Sequence, residues 1–284
     1  MNTFFSLCNG KWIENNQPLL LPDNRAFRYG EGLFETMRMQ HGQIPLYNYH
    51  WQRLTNDLPK LYFELPVHFT QEYLSDQIER LCRKNKLIEV ARVRLTIFKG
   101  EGGIWEEPST SFNWLLQCWS LPQIKPELNV NGLDIGVFEA GRKACDQFSN
   151  IKSNNYLLYA LAAQYAKMQH WNEAIVLNQH ERICDTTIAN IFFIKDNKFY
   201  TPALSEGCVN GVMRTYLIEQ LRKENRYLTE GVFSVNDLLD ADEVFLTNAV
   251  QGIRWVKSLG DKTYGCQQTA SLTPPFREDH IDRA

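Results

Sequence analysis

No stretch of this sequence approaches the roughly 18 consecutive apolar residues of a membrane span. The opening MNTFFSLCNGKW has no basic segment ahead of a long apolar one. We therefore expect no signal peptide, no membrane partner and a cytoplasmic location. Charge of one sign is equally scarce. The formal net charge is −3 and the pI about 6.1, so nothing global would draw nucleic acid or an anionic surface. The six histidines form no HxxxH or HExxH spacing, and no metal site is expected. The seven cysteines include no CxxC pair, which reads as reduced thiols. No GxGxxG or GxxxxGK[ST] run is present, so the glycines at 100–103 are not a nucleotide fingerprint.

What is there suits two domains: 284 residues, 44% of them hydrophobic. Asn9-Gly10 between alternating segments predicts a hairpin of Phe4–Cys8 with Lys11–Glu14. Helical spacing runs over Leu46–Leu58, which stops at Pro59, and over Thr70–Lys84 with Thr70 as N-cap. Val90–Phe98 alternates as a strand, with Phe112–Trp119 as its partner. Two prolines in Leu121–Pro126 predict a stiff linker. Beyond it we expect strands near Leu133–Phe138, Glu173–Leu177, Asn190–Ile194 and Glu243–Thr247. Helices are expected over Asn154–Met168 and after Gly211. Strands and helices alternate without a βαβ rhythm, which predicts an α+β fold. The domains would be 1–120 and 127–284, joined by 121–126. The tail after Gly265, with Pro274-Pro275, is expected to be loosely ordered.

The chemistry must come from scattered polar residues. Lys152 stands just before an amphipathic helix, and Asp185 lies at a strand end. Gly207-Cys208-Val209-Asn210-Gly211-Val212-Met213-Arg214 is a polar loop opening a helix. An amine, a carboxylate and a helix start able to take phosphate are the parts that pyridoxal phosphate requires. Singly, each is better explained as a solvated cation, a turn residue and a helix-start glycine.

Several ordered motifs resemble the class IV aminotransferases, the fold type IV pyridoxal-phosphate enzymes. Asn24-Arg25-Ala26-Phe27-Arg28-Tyr29-Gly30-Glu31-Gly32-Leu33-Phe34-Glu35 is similar to that family's Asp-Arg-Gly-x-x-Tyr-Gly-Asp-Gly-x-Phe-Glu. His50-Trp51-Gln52-Arg53-Leu54 is similar to its His-x-x-Arg-Leu. Lys152 with its following asparagines, Asp185 five residues before Asn190-Ile191-Phe192, Thr201-Pro202, and Gly211-Val212-Met213-Arg214 follow in family order. The resemblance implies a two-domain enzyme with its active site at the domain interface and an α/β-barrel-like second domain carrying the cofactor lysine. It implies Lys152 as the Schiff-base lysine and Asp185 as partner of the pyridine nitrogen. Arg53, the amides of Val212 and Met213, and Asn248 would hold the phosphate. It also implies a homodimer, each site completed by the partner's loop around Lys99–Trp105. Asp185 stands where the family usually has glutamate, Asn24 where it has aspartate, and Met213 where many transaminases have threonine.

Within the family, Thr36 and the run Val209–Arg214 look like the 4-amino-4-deoxychorismate lyase branch. There a threonine hydroxyl takes part in proton transfer as pyruvate leaves and 4-aminobenzoate, a folate precursor, forms. Lys152, Thr36 and Asp185 would then be catalytic, and Arg94 and Lys99 would meet a small carboxylate substrate. The alternative is a branched-chain or D-amino-acid aminotransferase passing an amino group to 2-oxoglutarate.

Overall fold

A computed structural model describes residues 4–106, 112–122 and 128–272. The predicted linker falls mostly outside the described residues. Of the tail expected to be loosely ordered after Gly265, residues 266–272 are instead packed, with Thr269 and Leu272 buried and Thr269 N–H donating to Glu243 at 2.8 Å; Pro274-Pro275 lies outside the described residues. The chain divides into two compact units. One takes in Met1–Gln123 and Lys152–Asn155, and the other Ile124–Ile151 and Tyr156–Ile281.

The first unit begins with the hairpin β1 (Phe5–Cys8) and β2 (Lys11–Glu14). Asn9 and Gly10 both take positive φ, at 48° and 79°, as a type I′ turn demands. The short helix α1 (Arg25–Tyr29) follows, capped by the Asn24 side chain on Ala26 N–H. Strand β3 (Gly32–Gln40) leads into helices α2 (Tyr47–Asp57) and α3 (Gln71–Lys84). Thr70 caps α3 by accepting from Tyr73 N–H at 3.1 Å. Strands β4 (Val90–Phe98) and β5 (Asn113–Ser120) complete a five-stranded antiparallel sheet of order β2-β1-β5-β4-β3. Leu74, Ile78, Leu81 and Cys82 of α3 are buried, as are Val93, Leu95 and Ile97 of β4.

Strand β3 ends that order, yet its free edge is used. Phe34 N–H donates to Lys152 O and Asn154 N–H to Gly32 O, both at 2.9 Å, with Leu33 bridged to Ser153. Lys152–Asn154 thus acts as a short extra strand of the first sheet, although the sequence reading gave Lys152 to the second domain. The following helix accordingly starts later than its apolar spacing predicts.

In the second unit come β6 (Leu133–Lys143), α4 (Leu157–Met168), β7 (Glu173–Asn178), β8 (Ile183–Thr186), β9 (Asn190–Lys195) and β10 (Lys198–Pro202). Then follow α5 (Val212–Lys223), β11 (Leu228–Gly231), α6 (Val235–Leu239), β12 (Glu243–Asn248), β13 (Gly252–Leu259) and β14 (Lys262–Thr263). Pairing runs β11-β10-β9-β12-β13-β6-β7-β8, with β14 on β13. Parallel pairs (β10/β11, β13/β6, β6/β7) mix with antiparallel ones. Leu133, Ile175, Ile191, Leu246 and Val256 from five strands share one apolar cluster. Phe138 and Val176 instead meet Tyr159, Ala162 and Ala166 of α4.

Gly32 is where this arrangement is least forgiving. A Cβ there would lie 2.3 Å from Ile97 O and 2.3 Å from Asn154 Nδ2, and a strand carbonyl has no room to retreat. Gly32→Ala is expected to cost on the order of 2 kcal/mol or more in urea unfolding. Gly265→Ala, whose Cβ would meet nothing within 4 Å, is the near-neutral control. Equal midpoints for the two variants would refute this account of the β3 edge.

Candidate active site

The two units each carry a buried charged cluster. In the first, strand alternation sends Glu35 to one face of the sheet and Phe34 and Thr36 to the other. Glu35 meets α2, where three-residue spacing puts His50 and Arg53 on one side. Arg53 donates Nε to Glu35 Oε1 at 2.7 Å and Nη2 to Oε2 at 2.5 Å, a bidentate pair. His50 Nδ1 lies 2.6 Å from Oε2. Burial alone pushes Glu35 up, but the charges and hydrogen bonds of Arg53 and His50 outweigh it and hold the carboxyl at about 2. His50 is pushed down, first by burial, against the pull of Glu35 and with the charges of Arg53 and Lys152 adding to it. A neutral imidazole donating Nδ1–H to Glu35 leaves Nε2 as a bare acceptor, and that nitrogen is buried with no partner among the described residues.

On the opposite face the register sets Thr36 directly across from Arg94 and Phe34 beside it, across from Thr96. Arg94 lies over the Phe34 ring, with Cζ 3.6 Å from its centre. Lys152 Nζ stands 4.6 Å from the same centre. Lys152 and Arg94 are therefore neighbours around one aromatic ring, and Thr36 pairs with Arg94 on the same face. Lys99 is not with them. Its ammonium donates to Tyr62 O at 2.5 Å and sits 4.3 Å from the Phe63 ring centre. Burial lowers its pKa. The sequence reading set it at the substrate with Arg94; here its ammonium is engaged by Tyr62 O.

In the second unit Asp185 is 2% exposed on β8. Its Oδ1 accepts from Asn190 Nδ2 at 2.9 Å. Its Oδ2 accepts from Tyr159 Oη at 2.7 Å and Val209 N–H at 2.9 Å, and Lys143 Nζ pairs with it at 3.2 Å. Nearby, α5 opens on Gly211, which makes no side-chain cap, so the first-turn N–H groups of Val212 and Met213 are not claimed by one. A Cβ on Gly211 would fall 1.8 Å from Asn190 Oδ1, so only glycine keeps this helix start beside Asn190. Asn248 spends its side chain locally: Oδ1 accepts from Val250 and Gln251 N–H at 3.0 and 2.7 Å, and Nδ2 donates to Gln251. It shapes its own turn.

Glu35 and His50 stand inside the quoted motifs, yet the sequence reading gave them no role. Tyr159 and Lys143 carried no signal at all. Their contacts with Asp185 span 26 and 42 positions, and no local spacing announces them.

Because Glu35 is ionised and paired in the fold, its contribution to stability is complete above the ordinary carboxylate range (about 4.3). That contribution is lost as pH falls from there through about 2. Glu35→Gln leaves Arg53 buried without its charge partner and is expected to cost about 3–5 kcal/mol. Its acid-unfolding curve should also be shallower than the wild type's below pH ~4.3. Parallel curves in that range would show that Glu35 is not held ionised.

Residues 32–259 match the amino-transferase class IV family. The chain is 30% identical over 264 residues to the aminodeoxychorismate lyase of Bacillus subtilis, an overlap of 91% of this chain and 88% of that one. It is 29% identical over 251 residues to the aminodeoxychorismate lyase of Vibrio harveyi, covering 87% and 90%. The crystal structure of the Escherichia coli branched-chain amino acid aminotransferase shares the fold, with a TM-score of 0.81 at 24% identity over 93% of this chain and 88% of that one. With Lys152, Asp185 and the α5 start all within the matched span, the chain belongs to the amino-transferase class IV family and is a pyridoxal-phosphate-dependent enzyme.

Proposed function

We propose that this enzyme is a 4-amino-4-deoxychorismate lyase, which eliminates pyruvate from its substrate and leaves 4-aminobenzoate. The observation that carries the reading is the grouping of Lys152 and Arg94 around Phe34, with Thr36 paired to Arg94 on the same face. It puts an amine base, a hydroxyl and a cation for a carboxylate on one face. The names of the two bacterial relatives support it.

The residues fit pyridoxal phosphate. The Lys152 amine is the attachment point, Asp185 the partner of the ring nitrogen, and Arg53 with the amides of Val212 and Met213 the phosphate holders. When bound, the cofactor supplies an electron sink for the charge left at the amine-bearing carbon. Lys152 removes the proton from that carbon. Thr36 delivers a proton as the enolpyruvyl group leaves, and Arg94 orients a carboxylate. Lys99, engaged with Tyr62, has no part. Asn248 contributes by shaping the turn after β12.

The test supplies aminodeoxychorismate, and separately amino acids with 2-oxoglutarate, to the same preparation. Wild-type enzyme should release 4-aminobenzoate and pyruvate, and borohydride reduction should fix the cofactor on Lys152. Thr36→Val removes only the hydroxyl and should slow this release about a hundredfold or more, the usual scale of acid–base assistance, with cofactor binding unchanged. Amino-group exchange with 2-oxoglutarate and no pyruvate would mean an aminotransferase instead. A label on another lysine would sink the site.

The same reading includes a homodimer in the cytoplasm. Ile104 and Trp105, 60% and 97% exposed at a loop tip, are apolar surface that a second copy would cover. Light scattering should give twice the chain mass, and a fully active monomer would refute the dimer.

A further inference from the structure

The assignments above use Asp185 but leave Lys143 without a role. Lys143 ends β6, and its carbonyl accepts from Gln179 N–H at 3.0 Å. Its side chain is 12% exposed against 3% for Asp185. The ammonium closes a triangle: 2.5 Å to Tyr159 Oη, 3.2 Å to Asp185 Oδ2, with Tyr159 Oη 2.7 Å from the same oxygen.

An ionised carboxylate oxygen offers about two lone-pair sites. Oδ2, with donors from Tyr159, Val209 and Lys143, is filled. Oδ1 accepts only from Asn190 among the described residues and keeps one site open. The charge also needs explaining, because a carboxylate this deep is unfavourable unless a cation stands against it. The groups that face it are Lys143 from β6, Tyr159 from α4, its neighbour Cys184, Asn190 from β9, and Cys208 and Val209 from the loop before α5. Cys145 lies beyond Cys184. Burial raises Tyr159 and Cys184, and pushes Cys208 up to about 12, so these stay neutral and supply no positive charge. Cys145 is raised in the same sense. The compensating charge is Lys143.

We propose that Lys143 is a positioning residue for the cofactor. It is the charge partner of Asp185 and pins the carboxylate through Oδ2, so that Oδ1 is the oxygen presented to a ring N–H. The proposal rests on the reading that Asp185 receives the pyridine nitrogen. It has a consequence in protons. The pyridine nitrogen of pyridoxal 5′-phosphate already carries its proton in neutral solution, so opposite a carboxylate paired with Lys143 it takes up none on binding. Without the Lys143 charge the empty site keeps its own proton on Asp185. That proton is displaced to solvent when the protonated ring nitrogen binds, so one is released.

The experiment titrates the full-length chain with pyridoxal 5′-phosphate between pH 6 and 8 and reads Kd at each pH. The slopes of log Kd against pH for wild type and Lys143→Met should differ by about one, a tenfold change per pH unit. Lys143→Arg should restore the wild-type slope. Lys143→Gln, which keeps a donor but no charge, should follow Lys143→Met, and it stands in if the methionine variant does not fold. A purely structural salt bridge would lower stability at every pH and leave the slope alone, so a wild-type slope in Lys143→Met or Lys143→Gln overturns the proposal. If the wild type fails to bind the cofactor, or the borohydride label lies off Lys152, the parent reading falls and this one with it.

Discussion

Two backbone hydrogen bonds along the outer edge of β3 decide where the reactive amine can be. An edge strand leaves a row of N–H and C=O groups open. Here Phe34 N–H and Gly32 O are taken by Lys152 O and Asn154 N–H. Strand pairing fixes more than position. Because neighbours on paired strands share a face, binding Lys152 beside Phe34 commits its side chain to the face that carries Phe34, Thr36 and Arg94. The lysine's direction is thus set by main-chain geometry, which side-chain mutation elsewhere does not easily disturb. Gly32 belongs to this constraint, since any Cβ would collide with both Ile97 O and Asn154.

The other face of the same strand shows how the sheet tolerates charge in its interior. Glu35 is 2% exposed, and each of its oxygens is met by Arg53, with His50 as a further donor. The second unit repeats the solution with different residues. Asp185 is matched by Lys143 and hydrogen-bonded by Tyr159, Asn190 and a main-chain N–H. In both places a cation stands in contact with the buried carboxylate and compensates its charge. Such pairs add little net stability, but they fix geometry, which a site handling a charged ring and a phosphate needs.

What the sequence made legible follows from how local each cause was. Asn9-Gly10 announced its hairpin because the turn's positive φ angles are a property of those two residues. Thr70 announced α3 because capping acts over three positions. The start of α4 was misjudged because the apolar spacing extends back to Asn154, while a pairing with Gly32, far off in sequence, takes that residue's N–H. Among site residues, Lys152, Asp185, Arg53 and Thr36 were reached through ordered motifs. For Lys99 no local pattern hinted at the contact its ammonium makes with Tyr62 O. Asn248 was expected to reach outward, and its own turn satisfies it.

The aspartate at 185, where the family usually has glutamate, becomes intelligible from its surroundings. The shorter arm draws the carboxylate back toward the β8 main chain by roughly one C–C bond, about 1.5 Å. There Val209 N–H and Tyr159 Oη come within 2.9 and 2.7 Å. A longer side chain would have to carry its oxygens past these donors, and Lys143 would then face Tyr159 alone. Substitution and setting therefore go together: a short acid needs a wall of donors behind it, and the end of β6 supplies the one that carries charge. On that argument Asp185 and Lys143 form one functional unit, each the charge partner that the other requires.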